Sequence, residues 1–247
     1  MHQVLFKFGY LTIYTYGVFV FSGVLAAYLV CRRYSRAQGI EEKTFSNIFF
    51  WFVIAGFLGA KTLYILLEFR YFLKEPFAML RSGFVFYGAF IAASGALYFL
   101  AKKYNVRFIK LADVLSLGAP LGHALGRIGC FFYGCCYGEP GDYFFCVLFP
   151  ANSPAGILGL KLIPTQLISA FFLFLIFFLL LFRSQRKKYD GQIFIYYSII
   201  YGIFRFIIEF YRADPRGQFF SLSTSQVIAI ILIITGVFSF CRLRRTT

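Results

Sequence analysis

Residues 165–182 read TQLISAFFLFLIFFLLLF, without a charged side chain, and Arg183, Arg186, Lys187 and Lys188 follow at once. A helix of about 20 apolar residues matches the roughly 30 Å hydrocarbon thickness of a bilayer. Only a helix or a closed barrel satisfies its backbone hydrogen bonds there, so the stretch is a membrane span and its basic tail marks a water interface. The same reading extends outward to 10–31, 47–67, 84–101, 111–133, 192–211 and 223–241. Composition agrees: of 247 residues, 60% are hydrophobic, 22% aromatic and only 14% charged, with a mean hydropathy of +0.73. A soluble domain carries about 25% charged residues. The 36 Phe and 18 Tyr exceed what a water-soluble core of this size buries. A soluble domain, a disordered chain, a collagen-like repeat and a disulfide scaffold are thereby excluded. The expected fold is an all-α integral membrane protein with about seven transmembrane helices, a single polytopic domain over 1–247, in which 134–164 form a small extracytoplasmic head.

The net charge of +15 would suggest a nucleic-acid partner on a soluble protein. Here the cations lie in short clusters between apolar runs, so no nucleic acid is expected. With the N-terminus outside, the inner clusters are Arg32, Arg33, Arg36 and Lys43; Lys102, Lys103, Arg107 and Lys110; Arg183, Arg186, Lys187 and Lys188; and Arg242, Arg244 and Arg245. Lys7, Arg70, Lys74, Arg81, Lys161, Arg212 and Arg216 fall outside. Fifteen against seven predicts an N-out, C-in topology, which requires an odd number of spans. The first run has no small-residue cleavage site and its basic cluster comes after it, so it reads as a retained span rather than a signal peptide.

Lys61, Arg127 and Arg205 fall within or at the ends of apolar spans. A charge at a helix centre costs roughly 2.5–3.5 kcal/mol on insertion scales, so such residues face a cavity, a partner charge or a ligand. The fourth span ends in GRIGCFFYGCCYG, 126–138. Gly118, Gly122 and Gly126 share one face that admits close backbone approach. His123, Arg127 and Cys130 share the next stripe. A guanidinium beside glycine backbone suits an anionic headgroup, because its planar fork binds phosphate bidentately. Helix packing by the glycines, with Arg127 snorkelling to the interface, is the other reading. The sixth span ends in RFIIEFYRADPRG, 205–217, where Tyr201, Arg205, Glu209 and Arg212 form one polar stripe. Arg205 and Glu209 are spaced as a pair, either functional or merely a buried ion pair. Asp214 and Pro215 end the helix in a turn.

These residues carry a resemblance. GRIGCFFYGCCYG, with Tyr16-Gly17, GFVFYGA at 83–89, PTQ at 164–166, RFIIEFYRADPRG and LSTSQ at 222–226, resembles the prolipoprotein diacylglyceryl transferase family over nearly the whole chain. The resemblance implies an enzyme of the bacterial inner membrane, multi-pass, without a cofactor. Its implied substrates are phosphatidylglycerol and the lipobox cysteine of prolipoprotein signal peptides, and its products a thioether and glycerol phosphate. It implies Arg127, Arg205, Glu209, Tyr87 and Tyr16 as catalytic residues, and Gly126, Gly129 and Gly138 beside Arg127 and Arg205 in binding phosphatidylglycerol. The sequence departs from the family pattern where many members carry His and it has Tyr87. It also has Cys130 for an Asn, Ile163 for the His before PTQ, and Lys61 for an Arg. A tyrosine is a poor base at neutral pH, so His123, the only intramembrane imidazole, is a possible base or else a structural histidine.

The chemistry needs no protein nucleophile, because the acceptor brings its own thiol. Cys130, Cys135 and Cys136 are therefore expected not to be catalytic. Zinc spacing of the C-x₂-C type is absent, and adjacent Cys135 and Cys136 are expected not to share one ion, so no metal is expected. They read as small packing groups or one disulfide with Cys146. A thiol redox enzyme is a further reading. The alternative from another class is a non-catalytic protein that binds or transports anionic membrane lipids through the same arginine stripe; it would be marked by inverted repeats, which the sequence lacks.

Overall fold

The computed structural model describes residues 2–9, 11–81, 83–214, 217–219 and 221–244. Tyr10, Pro215, Arg216 and Arg245, which figure above in the first span, the turn after the sixth and the charge count, lie outside them. An antiparallel hairpin comes first, β1 (Val4–Phe8) and β2 (Leu11–Tyr14). The apolar run that begins near residue 10 is thus partly strand. Thr15 ends the hairpin, its N–H donating to the Gln3 carbonyl at 2.9 Å and its hydroxyl to that of His2 at 2.5 Å. The first long helix starts only here, as α1 (Thr15–Ala37).

Next come α2 (Glu42–Leu67), two short helices α3 (Phe69–Lys74) and α4 (Pro76–Arg81), α5 (Phe86–Lys103) and α6 (Phe108–Tyr133). Residues 134–164 hold the small ladder β3 (Val147–Leu148) and β4 (Lys161–Leu162), with a 3-10 turn at Gly156–Leu158. Phe149, Ala155 and Leu162 form a core there with Phe131, Tyr137 and Val147 against it. The chain continues through α7 (Thr165–Ser184) and α8 (Gln192–Ile208), which a 3-10 turn extends over Glu209–Tyr211. The hairpin β5 (Gln218–Phe219) and β6 (Leu222–Ser223) leads into α9 (Thr224–Arg244).

Six of these helices have the length and apolar composition to cross a membrane: α1, α2, α6, α7, α9, and α8 with its 3-10 turn. The seventh expected span corresponds to α5, which ends in Lys102 and Lys103. The polarity is inverted relative to a soluble protein. Phe21, Phe99, Phe171 and Phe178 are exposed, whereas Ser35, Asp113, Thr165 and Gln166 are fully buried. This is a multi-pass membrane protein.

The chain divides into two compact units, residues 1–31 with 112–247, and residues 32–111. In the second unit α2 and α5 meet at Gly59 and Gly88, where a β-carbon on either would run into the other's carbonyl oxygen. Glu42, in the first turn of α2, pairs with Arg32 and Arg36. Lys61 is satisfied locally: its ammonium donates to the carbonyls of Met79 at 3.1 Å and Gly83 at 3.0 Å and lies 4.4 Å from the Phe84 ring centroid.

In the first unit α1 and α6 approach through Gly23 and Gly122, and Gly118 faces Ala27 and Cys31. Asp113, fully buried near the start of α6, closes the opposite end of the unit. Its carboxylate accepts from the backbone N–H of Gly191 at 2.7 Å and of Phe194 at 2.8 Å, and pairs with Lys187 at 3.0 Å. The helix hairpin between α7 and α8 is thereby fastened to α6.

Candidate active site

The glycine face of α6 does two things. Gly118 and Gly122 bear on α1, as the packing reading expects, but a β-carbon at Gly126 would meet nothing within 4 Å. One residue on, Arg127 is half-buried beside that space. Its Nε donates to His123 Nε2 at 3.1 Å, one helical turn away. Among the described residues its two terminal nitrogens have no protein acceptor and it pairs with no carboxylate. His123 Nε2 is therefore a lone-pair acceptor occupied by Arg127. The His123 ring also lies 5.7 Å from that of Tyr201, which joins α6 to α8.

On α8, Arg205 is fixed at both ends of its fork. One terminal nitrogen meets Glu209 at 2.7 Å and the other donates to Ser225 Oγ at 2.8 Å. Glu209 is buried, so the expected pair exists as a desolvated one. Ser225 sits in the first turn of α9 because Ser223 and Gln226 make a reciprocal cap, Gln226 N–H to Ser223 Oγ at 3.1 Å and Ser223 N–H to Gln226 Oε1 at 2.9 Å. Part of the LSTSQ motif is thus a helix start that aims a serine at Arg205.

The segment after α6 brings Arg212 to the same centre. Gly134, at φ +80°, ends the helix. Gln166 Nε2 then holds the Cys135 carbonyl at 2.7 Å, and Thr165 Oγ1 holds that of Cys136 at 2.7 Å. The PTQ motif is thereby a clamp on the signature turn, a role that spacing alone does not suggest. Residues 137–139 continue through an isolated β-bridge, Gly138 opposite Arg212. Gly138 N–H donates to the Ile163 carbonyl at 2.9 Å, Glu139 N–H to that of Tyr211 at 3.0 Å, and Ala213 N–H to that of Tyr137 at 3.2 Å. Arg212, bridged to Gly138, is held by Asp214 through two bonds of 3.1 and 2.9 Å. Burial works against its charge, but Cys136, Asp214 and Glu209 hold the guanidinium above its usual range. Arg127, Arg205 and Arg212 all act electrostatically on His123. Three guanidinium groups thus converge, and among the described residues Glu209 and Asp214 are the carboxylates paired with two of them.

The remaining expected residues fall as follows. Tyr16, at the start of α1, packs on Gly129 and has its ring 6.1 Å from that of Tyr133; Arg127 and the three cysteines lie within its electrostatic range. Gly129 and Gly138 serve close approach rather than an open face: Gly129 meets Tyr16 and Phe19, and Gly138 meets Tyr211, Thr165 and Ile163. Tyr87 lies in the other unit, exposed in the first turn of α5 with its ring against Phe86.

Of the two readings of the cysteines, the disulfide drops out. All six are free thiols, so no disulfide joins Cys146 to the turn. The sulfurs of Cys130, Cys135 and Cys136 instead lie within 4.8 Å of one another. Adjacent cysteines can face one point here because Cys136 adopts φ 62°, which turns the chain back on itself.

Apolar-faced helices and a partly uncompensated guanidinium cluster define a multi-pass membrane protein with a cationic centre. Residues 3–242 match the family described as prolipoprotein diacylglyceryl transferase, and the chain belongs to that family. It is 40% identical over 242 residues to the phosphatidylglycerol–prolipoprotein diacylglyceryl transferase of Clostridium tetani (strain Massachusetts / E88), covering 97% of each chain. It is also 40% identical to phosphatidylglycerol–prolipoprotein diacylglyceryl transferase 2 of Clostridium perfringens (strain 13 / Type A), over 92% of this chain and 90% of that one. The enzyme of the same name from Finegoldia magna is 34% identical, over 96% and 94%.

Proposed function

We propose that this chain transfers the diacylglyceryl group of phosphatidylglycerol to the lipobox cysteine of a prolipoprotein signal peptide, in a bacterial inner membrane. The observation that carries the reading is the open fork of Arg127 beside the empty space at Gly126. The acceptor thiolate attacks the sp³ carbon that bears the phosphate ester. A sulfur–carbon bond forms, the carbon–oxygen bond to glycerol phosphate breaks, and the thiol proton is released. Negative charge grows on the departing phosphate, and preorganised guanidinium groups in a low-dielectric site stabilise it.

Arg127 binds that phosphate bidentately. Arg205, fixed by Glu209 and Ser225, supplies a second cation. His123 is best placed to position Arg127, since acting as a base would require it to release the Arg127 Nε bond. Tyr16 lines the site next to α6, and a role for Tyr87 rests on the family resemblance alone. Purified protein supplied with labelled phosphatidylglycerol and a lipobox peptide should form a thioether-linked diacylglyceryl peptide, and Glu209→Gln should lower that rate with Arg205 intact. Lipid binding without product would favour the alternative of a lipid carrier.

The seven-span, N-out topology belongs to the same proposal and rests on the basic asymmetry together with the position of α5. A reporter fused after Thr247 should be active only when its type requires the cytoplasm. Activity of an exported reporter there would reverse every loop.

A further inference from the structure

Three sulfur atoms at the end of α6 are brought together by the backbone, and the proposed transfer uses none of them. We propose that Cys130, Cys135 and Cys136 form a binding site for a thiophilic metal ion of the Zn²⁺ type, each thiolate supplying one ligand. The three Sγ atoms lie within 4.8 Å of one another. Three sulfurs about 2.3 Å from a tetrahedral zinc stand about 3.8 Å apart, so each pair needs to close by no more than about 1 Å. Side-chain rotation supplies that much.

The frame around the sulfurs is already set. Cys130 lies in the last turn of α6 and its carbonyl accepts from the N–H of Gly134 at 2.9 Å and of Cys135 at 3.2 Å. Cys136 holds a left-handed φ of 62°, uncommon for a residue with a side chain. The buried Thr165 and Gln166 fix the carbonyls of Cys136 and Cys135 from α7. All three thiols are free, so no disulfide competes. Thiolates select zinc, copper(I) and similar soft ions over magnesium or calcium. Binding is without redox change: three S–H bonds lose their protons to solvent and three sulfur–metal bonds form. A divalent ion with three thiolates carries one net negative charge, and the Arg127 and Arg212 guanidinium groups lie within electrostatic range of Cys136 to offset it. The fourth tetrahedral position is left for water.

The test is direct binding, which does not depend on whether the protein transfers a diacylglyceryl group. Purified protein, stripped with a chelator and kept reduced by a phosphine, is titrated with Cd²⁺. One equivalent should produce a thiolate-to-metal absorption band and raise the melting temperature. Zn²⁺ should displace it and Mg²⁺ should not. Cys136→Ala should lose the band, whereas Cys146→Ser and Cys241→Ser, outside the cluster, should keep it. No band in the reduced wild-type protein, or a full band in Cys136→Ala, would overturn the proposal.

Discussion

Arg127→Ala should slow diacylglyceryl transfer by about 10²–10³, the loss expected when one preorganised donor to a developing negative charge is removed. The side chain sits beside unfilled space, and its terminal nitrogens have no protein acceptor among the described residues, so truncation removes those two open donors together with the Nε bond to His123. Arg127→Lys should fail nearly as badly. An ammonium keeps the charge but has no planar fork, and it cannot span both the phosphate and His123 Nε2. Were Arg127 only snorkelling to the interface, lysine would do that equally well and restore activity. The measurement is transfer of labelled diacylglyceryl to a lipobox peptide by protein inserted to equal levels. Near-normal turnover in either variant would remove Arg127 from the site.

Asp113→Ala should destabilise the protein by about 3–5 kcal/mol, because it leaves a buried ammonium without its carboxylate partner. Two backbone N–H groups, of Gly191 and Phe194, lose their acceptor as well. Asp190 keeps part of the Lys187 charge compensated at 2.9 Å, so the figure belongs at the lower end of that range. The check is thermal unfolding in detergent, with Asp113→Ala/Lys187→Met as a second variant. Removing both charges should recover part of the loss, since an apolar replacement of a buried pair is often tolerated. An unchanged midpoint for Asp113→Ala would show that the network carries no stability.

The uneven legibility of the chain has physical causes. Spans such as 165–182 can be read because hydrocarbon demands long uncharged helices, and the Arg205–Glu209 pair because four residues make one turn. The hairpin before α1 was hidden, since VLFKF and LTIY are as apolar as the helix they precede and run length does not separate strand from span. Asp113 gave a signal that was available: a lone carboxylate in an apolar run demands a partner as much as Arg127 does. Its partners lie far along the chain, Gly191 being 78 residues on, so spacing could not name them. The cysteine cluster depends on one left-handed backbone angle, and nothing in the dipeptide Cys135–Cys136 announces it.

The clamp of Thr165 and Gln166 on the signature turn has a consequence for how such a sequence can diverge. Both side chains grip main-chain carbonyls, and every residue presents a carbonyl whatever its side chain. The two gripping positions are tightly constrained, while the gripped ones are released from the duty of holding the turn. Positions 135 and 136 can exchange side chains with little effect on the path of the chain, provided position 136 tolerates its left-handed angle. A lineage can therefore explore new chemistry beside the arginine centre without rebuilding the frame that aims it.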